Sequence, residues 1–455
     1  MKRFFLISLG ICLVISLMGC TKKQKLDVPE NIAINGDILS WDQVDNAINY
    51  QVKIVNSKGN EQTKIVATNS LNLFELNLQP NKYTIYIQAL GGKDFMDSDL
   101  STENITYEVV KELKEELLLA EQGYIKWQGR TSYDQGKRVN MMYHSGSSFE
   151  VKFIGTSITI ILYATKYSTP ATQPYYVLII NDDYENRQRV ALTQDYTIIS
   201  LDILPTSENT INTLTLYKST ESIDSHIGLN SISTNGRFIK EVNYKDRLIE
   251  FIAASSSTGY GNLSKDGKTT SNSDALQAFS YLTARDLNAD LNIYAASGWG
   301  VKASRWTGPH TLNMFDAYKK VDFFSEEIWD QSKIQPDVIV INLGTNDWSY
   351  INMASTQEER NVRMQAFKDQ YVAFLDYLHT SYPTCKIIML YGLMRESNIY
   401  NATIEIYDRA KVTNPGLSIL KVEGDAGGAN SHPSLACHHL IADLLVEKIK
   451  SEMGW

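Results

Sequence analysis

The sequence predicts a multidomain chain: two all-β sandwiches followed by a C-terminal α/β domain of three layers. Three observations carry this. Between Asp27 and about Phe238, short runs alternate apolar and polar residues and are broken by Asn, Asp, Gly and Pro turns. After Lys245 the pattern switches to apolar runs separated by helical stretches, which implies a parallel sheet covered on both faces. At 455 residues the chain also exceeds one ordinary domain, and about three are expected.

The N-terminus reads as a targeting segment. Lys2 and Arg3 precede an apolar run from Phe4 to Met18, too short to span a bilayer comfortably. The run ends Leu17-Met18-Gly19-Cys20, which resembles a bacterial lipobox. The resemblance makes residues 1–20 a lipoprotein signal, with cleavage before Cys20 and lipidation of the Cys20 thiol. The mature protein would then be anchored to a membrane of the bacterial cell envelope rather than span it. A polar tether, residues 21–26, follows.

Residues 27–109 carry alternating runs such as Gln51-Val52-Lys53-Ile54-Val55 and Tyr83-Thr84-Ile85-Tyr86-Ile87. With Leu39-Ser40-Trp41-Asp42 and Leu78-Gln79-Pro80-Asn81-Lys82-Tyr83, this stretch resembles a fibronectin type III domain. In that family an early Trp and a late Tyr pack the sandwich core, so Trp41 and Tyr83 are expected to be structural. Residues 110–121, rich in Leu, Lys and Glu, have helical spacing and predict a linker helix. Residues 122–238 return to short strands, including Phe149–Phe153, Ser157–Tyr163, Tyr176–Ile180 and Thr213–Tyr217, and predict a jelly-roll sandwich.

In residues 245–455 strands are predicted at 248–254, 291–296, 337–343, 386–392 and 417–422. Helices between them include Asp274–Leu287, with Ala275, Leu276, Phe279 and Leu282 on one side, and Glu358–His379. Four stretches lie at strand ends or a helix start: Ser255; Ser297-Gly298-Trp299-Gly300; Gly344-Thr345-Asn346-Asp347; and Asn430-Ser431-His432-Pro433. All four should meet at the C-terminal edge of the sheet, where open α/β sheets bind ligands. Together they can supply a nucleophile, a base and an oxyanion hole, the needs of acyl transfer.

This set resembles the SGNH hydrolases, whose Ser, Gly, Asn and His come from four blocks in this order. The resemblance makes Ser255 the nucleophile and His432 the general base. The Ser255 and Gly298 backbone N–H groups and the Asn346 amide would form the oxyanion hole. The fold implied is a flavodoxin-like three-layer domain. Tyr143-His144-Ser145-Gly146-Ser147, Phe153-Ile154-Gly155-Thr156 and Lys218-Ser219-Thr220-Glu221-Ser222 extend the resemblance to the family 2 carbohydrate esterases, which carry a jelly roll before the SGNH domain. That family implies removal of acetyl groups from polysaccharides or oligosaccharides, with no cofactor.

Two positions depart from the family pattern. Ala253-Ala254 stand where Gly-Asp is usual, and Asn430 stands where the acid partner of His432 is usual. The orienting partner of His432 is then a backbone carbonyl, the Asn430 amide, or Asp425 brought in by its glycine-rich loop. Ser256 and Ser257 compete with Ser255 in sequence. Trp299, Trp306 and Trp348 are either core or an aromatic wall for sugar rings. His438 and His439 fall on different faces of one helix, so no metal is expected. Cys385 and Cys437 are expected to be separate buried thiols.

A formal net charge of −9 with no large Lys/Arg block excludes nucleic acid as an expected partner. Two rival functions remain: a carbohydrate-binding lipoprotein with a decayed esterase domain, and a lipase or thioesterase on the same fold.

Overall fold

The computed structural model describes residues 23–455 except 36, 77, 80, 110–114, 118–122, 166–168, 204–209 and 308–312. The predicted signal and Cys20 lie outside the described residues. The chain divides into two compact units at Glu112/Leu113. Among the described residues, no helix is long and apolar enough to cross a membrane.

The first unit is two antiparallel sheets of three and four strands enclosing one core. Strand Asn81–Leu90 shows how the sequence builds it: Tyr83, Ile85, Ile87 and Ala89 are buried and alternate with more exposed residues. Trp41 is buried edge-on to Tyr50, with ring centroids 5.2 Å apart. The Tyr83 hydroxyl donates to the Gln79 carbonyl at 2.6 Å, so its ring packs while its polar end is satisfied.

The second unit begins with two six-stranded antiparallel sheets, which bury Phe149, Val151, Ile160, Leu162, Leu214 and Leu216 between them. The predicted linker helix is corrected here. Glu115–Leu117 form a strand paired antiparallel with Thr234–Ile232. The other residues of 110–121 lie outside the described set. A helix of about a dozen residues is marginal alone, and pairing with an available sheet edge outweighs weak helix propensity.

The α/β part has five parallel strands: β1 (Leu248–Ala253), β2 (Asp290–Ala295), β3 (Val338–Asn342), β4 (Lys386–Tyr391) and β5 (Ser418–Lys421). Their order is β2-β1-β3-β4-β5. Helices α1 (Phe279–Asp286) and α5 (Leu435–Met453) pack one face with Ile249, Phe251, Val338 and Val340. Helices α3 (Gln357–Ser381) and α4 (Tyr400–Ala410) pack the other with Ile252, Ile339 and Ile341; α2 (Thr345–Ile351) is a short turn of helix after β3. The strands are buried on both faces, hence their continuous apolar runs in sequence. Each fully buried aliphatic side chain contributes about 1.5–3 kcal/mol. Chain direction across the sheet reverses at β1, opening a crevice between the loops after β1, β2 and β3.

The sandwich and the α/β part share buried polar contacts. Arg130, fully buried, donates from Nη1 to the carbonyls of Tyr318 (2.5 Å) and Lys320 (2.7 Å). Lys126 pairs with Asp290 at 2.7 Å, both nearly buried. Val177 and Ile179 of the sandwich join the core under α1.

Candidate active site

Ser255 stands where β1 runs out. After Ala253 the backbone stays extended at Ala254, then turns tightly through Ser255–Thr258 and is closed by Gly259 at φ 77°. A Cβ on Gly259 would sit 2.3 Å from the Asp274 carbonyl oxygen, so this closure requires glycine. The turn leaves Ser255 half-buried at a cavity; Ser256, which also lines it, and Ser257 are buried.

His432 approaches from the loop after β5. That loop docks on the Ser255 side through the Ala429 N–H, which donates to the Gly261 carbonyl at 3.0 Å. The His432 ring is buried, with Nε2 2.7 Å from Ser255 Oγ and Nδ1 3.0 Å from the Ala429 carbonyl oxygen. A carbonyl only accepts, so Nδ1 carries the proton and Nε2 is left to accept from the Ser255 hydroxyl. Burial lowers the imidazole to about 4, although the Ala429 and Asn430 carbonyls pull it upward.

The two side-chain partners expected from sequence are both corrected. Asn430 sits at φ 49°, a left-handed conformation that Asn tolerates, and its amide donates to the Tyr260 hydroxyl at 2.9 Å. Asp425 accepts from the N–H of Ser434 at 2.8 Å and of Gly427 at 2.9 Å, and from the Ser434 hydroxyl. Burial would raise Asp425, but these hydrogen bonds outweigh it and hold the carboxyl low. Among the described residues, neither side chain is bonded to the imidazole; the Ala429 carbonyl orients it. Asp425 thus stabilises the turn into α5. Asp425→Asn is expected to lower Tm by a few degrees and keep kcat/KM within about tenfold, as is Asn430→Ala, far above the activity of His432→Ala. A collapse in Asp425→Asn as deep as in His432→Ala would contradict this geometry.

Gly298 and Asn346 line the same cavity as Ser255 and His432. Gly298 adopts φ 82°, and its carbonyl accepts from the Ser304 hydroxyl at 2.5 Å. Asn346, in the first turn of α2, donates to the Trp299 carbonyl at 3.0 Å. Its amide carries a second hydrogen that this bond does not use. Asp347, buried beside it, accepts from the N–H groups of Val301 (2.9 Å), Lys302 (2.8 Å) and Ala303 (3.2 Å). Burial pushes its carboxyl up to about 6, with those N–H groups pulling the other way.

The cavity, about 820 Å³, also meets Trp306, Trp348, Arg305 and Glu396. Trp306 is 66% exposed, with the Arg305 guanidinium 4.1 Å from its ring centroid. Trp348 is half-buried at the wall. Trp299 is corrected to core: it is 7% exposed, packs on Phe323 at 4.7 Å and does not line the cavity. A second cavity, about 630 Å³, opens at the opposite sheet edge among strand starts such as Leu248, Asp290 and Asp337. It lacks any serine–histidine pair.

Several residues at the site were not singled out from sequence. Tyr260 stacks on His432, ring centroids 4.0 Å apart and 23° from parallel. Asp347 stood in the quoted Asn346 block without a role of its own. Glu221 stood in a sandwich signature with nothing to connect it to residues 76 positions away. His438 is a buried core histidine whose Nδ1 accepts the Phe279 N–H at 3.2 Å. Cys385 and Cys437 are buried and unpaired. Among the described residues, no group of three or more His, Cys, Asp or Glu could hold a metal ion.

Residues 240–417 match the family model for GDSL-like Lipase/Acylhydrolase. A cellulase/esterase, CelE, of Acetivibrio thermocellus is 32% identical over 238 residues, covering 49% of this chain and 27% of that protein. An acetylxylan esterase / glucomannan deacetylase of Cellvibrio japonicus is 27% identical over 245 residues, covering 49% of this chain and 67% of that protein. The chain thus spans about a quarter of the length of the first relative and two thirds of the second. Two solved structures share the fold. A family two carbohydrate esterase from Clostridium thermocellum, in complex with cellohexaose, gives a TM-score of 0.63 at 24% identity over 73% of this chain and 99% of that one. The acetyl xylan esterase Est2A from Butyrivibrio proteoclasticus gives 0.66 at 21% identity over 75% and 100%. Residues 240–417 are therefore similar to GDSL-like lipase/acylhydrolases, and with the β-rich region ahead of them they share the fold of solved family 2 carbohydrate esterases.

Proposed function

We propose that this protein is a carbohydrate esterase that hydrolyses O-acetyl groups on polysaccharides or oligosaccharides. The observation that carries the reading is the 2.7 Å contact between Ser255 Oγ and His432 Nε2 at a cavity shared with Gly298 and Asn346. In this reading Ser255 attacks the acetyl carbonyl and His432 takes the hydroxyl proton. The Ser255 and Gly298 N–H groups and the Asn346 amide hold the developing oxyanion. His432 then gives the proton to the sugar oxygen as its bond to the acetyl carbon breaks, the sugar leaves with a free hydroxyl, and water repeats the sequence on the acetyl-enzyme to release acetate. The base is the dyad member of a Ser-His pair, oriented by a backbone carbonyl. A neutral carbonyl does less for the imidazolium than a carboxylate would, so modest turnover is expected. Trp306 and Trp348 offer ring faces on which sugars can stack.

Along the chain we infer a fibronectin type III-like domain at 27–109, a jelly roll at 122–238 and the esterase domain at 245–455. The tyrosine-to-backbone contact at Tyr83 supports the first, and the paired six-stranded antiparallel sheets support the second. A lipid on Cys20 would hold the enzyme at the cell envelope, where acetylated glycans are its expected partners.

The test compares acetate release from acetylated xylan and acetylated glucomannan with hydrolysis of a long-chain ester. Acetate release from a glycan supports the reading. Hydrolysis of the long-chain ester alone would indicate a lipase. Glycan binding without hydrolysis would indicate a carbohydrate-binding protein, a reading favoured by the lack of a carboxylate on His432.

The pH profile adds a second expectation. The base works when neutral, so activity falls as pH drops through the pKa of His432. Because burial holds that group to about 4, the acid limb of kcat/KM should lie well below the ordinary 6.5. A step near 6 that Asp347→Asn abolishes would belong to the loop Asp347 holds, not to the base. A single limb at 6.5, unmoved by that substitution, would contradict the assignment.

A further inference from the structure

The sandwich loop between strands Asn212–Lys218 and His226–Thr234 is polar, yet Ser219, Thr220, Glu221, Ser222, Asp224 and Ser225 are all buried. Burying polar groups costs free energy unless each finds a partner, so their partners are informative. Glu221 is 2% exposed. Its Oε2 accepts the Ser297 N–H at 2.9 Å and its Oε1 accepts the Ser297 hydroxyl at 2.8 Å. Lys268 Nζ lies 3.5 Å from Oε1, also pairs with Asp224, and sits 5.6 Å from the centroid of Tyr260, the ring stacked on His432.

We propose that Glu221, supplied by the sandwich, is a positioning residue for the oxyanion hole: it clamps Ser297 so that the adjoining Gly298 N–H faces the cavity. This rests on the esterase reading above. The direction of that N–H is set by the torsions on either side of the Ser297–Gly298 peptide. Glycine at φ 82° restricts them little, so the neighbours must. On the far side Ser304 holds the Gly298 carbonyl; on the near side two charge-assisted bonds to one carboxylate hold Ser297. A bare carboxylate this close to a developing oxyanion would oppose it, and the Lys268 ammonium offsets that charge. The sandwich is thereby part of the machinery and not a spacer.

The test uses the full chain with 4-nitrophenyl acetate, and measures how fast a small alkyl fluorophosphonate modifies Ser255. Glu221→Ala frees the Ser297 peptide. It should lower kcat and the phosphonylation rate about 10- to 100-fold, with KM within about threefold, as expected for a misplaced oxyanion donor. Glu221→Gln is isosteric: its carbonyl can accept the Ser297 N–H and its amide can donate to the Ser297 oxygen. It should recover to within about fivefold of wild type, a rescue that a general loss of stability would not show. Equal kcat in Glu221→Ala, a change confined to KM, or a Glu221→Gln as slow as Glu221→Ala overturns the proposal. If Glu221→Ala does not fold, Glu221→Asp replaces it: one methylene shorter, it withdraws from Ser297 and should lose kcat, and wild-type kcat overturns the proposal. A wild-type protein that neither hydrolyses the acetyl ester nor takes the phosphonate would fail the esterase reading itself. A wild type that reacts, with Glu221→Ala reacting equally fast, fails this inference alone.

Discussion

Ser255→Ala is expected to abolish ester hydrolysis, by about 10⁴-fold or more, while the protein remains folded. The hydroxyl is the atom that forms the acetyl-enzyme, and no neighbour can replace it. Ser256 and Ser257 are 4% and 0% exposed, and it is the Ser255 hydroxyl that His432 Nε2 meets, at 2.7 Å. Removing Oγ deletes one contact at the edge of a cavity, where water can reach Nε2 in its place, so little stability is lost. The measurement is kcat/KM with 4-nitrophenyl acetate and with acetylated xylan, alongside a thermal melt. Near-full activity in Ser255→Ala, with loss in Ser257→Ala, would mean that another serine carries the chemistry.

Asn346→Ala is expected to lower kcat by about 10² to 10³ with KM within a few-fold. Its amide donates where charge develops, so the interaction is worth most in the transition state. The substitution also removes the donor to the Trp299 carbonyl, loosening the loop that carries Gly298. A loss confined to KM would instead make Asn346 a ground-state contact to the sugar. Asn346→Asp is a useful partner: it keeps the shape and reverses the role from donor to acceptor, and should be at least as inactive.

Much of the α/β part could be read from sequence because its strands are buried on both faces. Leu248–Ala253 and Val338–Asn342 are short apolar runs ending in small or polar residues, and that edge is where the four blocks converge. What sequence could not supply was contact between distant segments. A backbone carbonyl carries no residue signature, so the sequence allowed one as the partner of His432 without pointing to Ala429, and left Asn430 and Asp425 open beside it. Each proved to serve something else: Tyr260 in one case, the turn into α5 in the other. Trp299 sits among cavity residues in sequence, yet the loop turns its ring inward onto Phe323. Glu221 reaches Ser297 across 76 residues, from a sandwich loop to the loop after β2. At 110–121 Leu-, Lys- and Glu-rich spacing suits a helix, but Glu115–Leu117 found a sheet edge.

The most direct test of the account is to trap the acyl-enzyme. The full chain is mixed with 4-nitrophenyl acetate, quenched in acid within the first turnovers, digested and mapped by mass spectrometry. An acetyl group on Ser255 is predicted in the wild type and in Asp425→Asn, and none is predicted in His432→Ala or Ser255→Ala. Turnover with the acetyl group on Ser256 or Ser257, or undiminished acetylation of Ser255 without His432, would contradict the Ser255–His432 dyad.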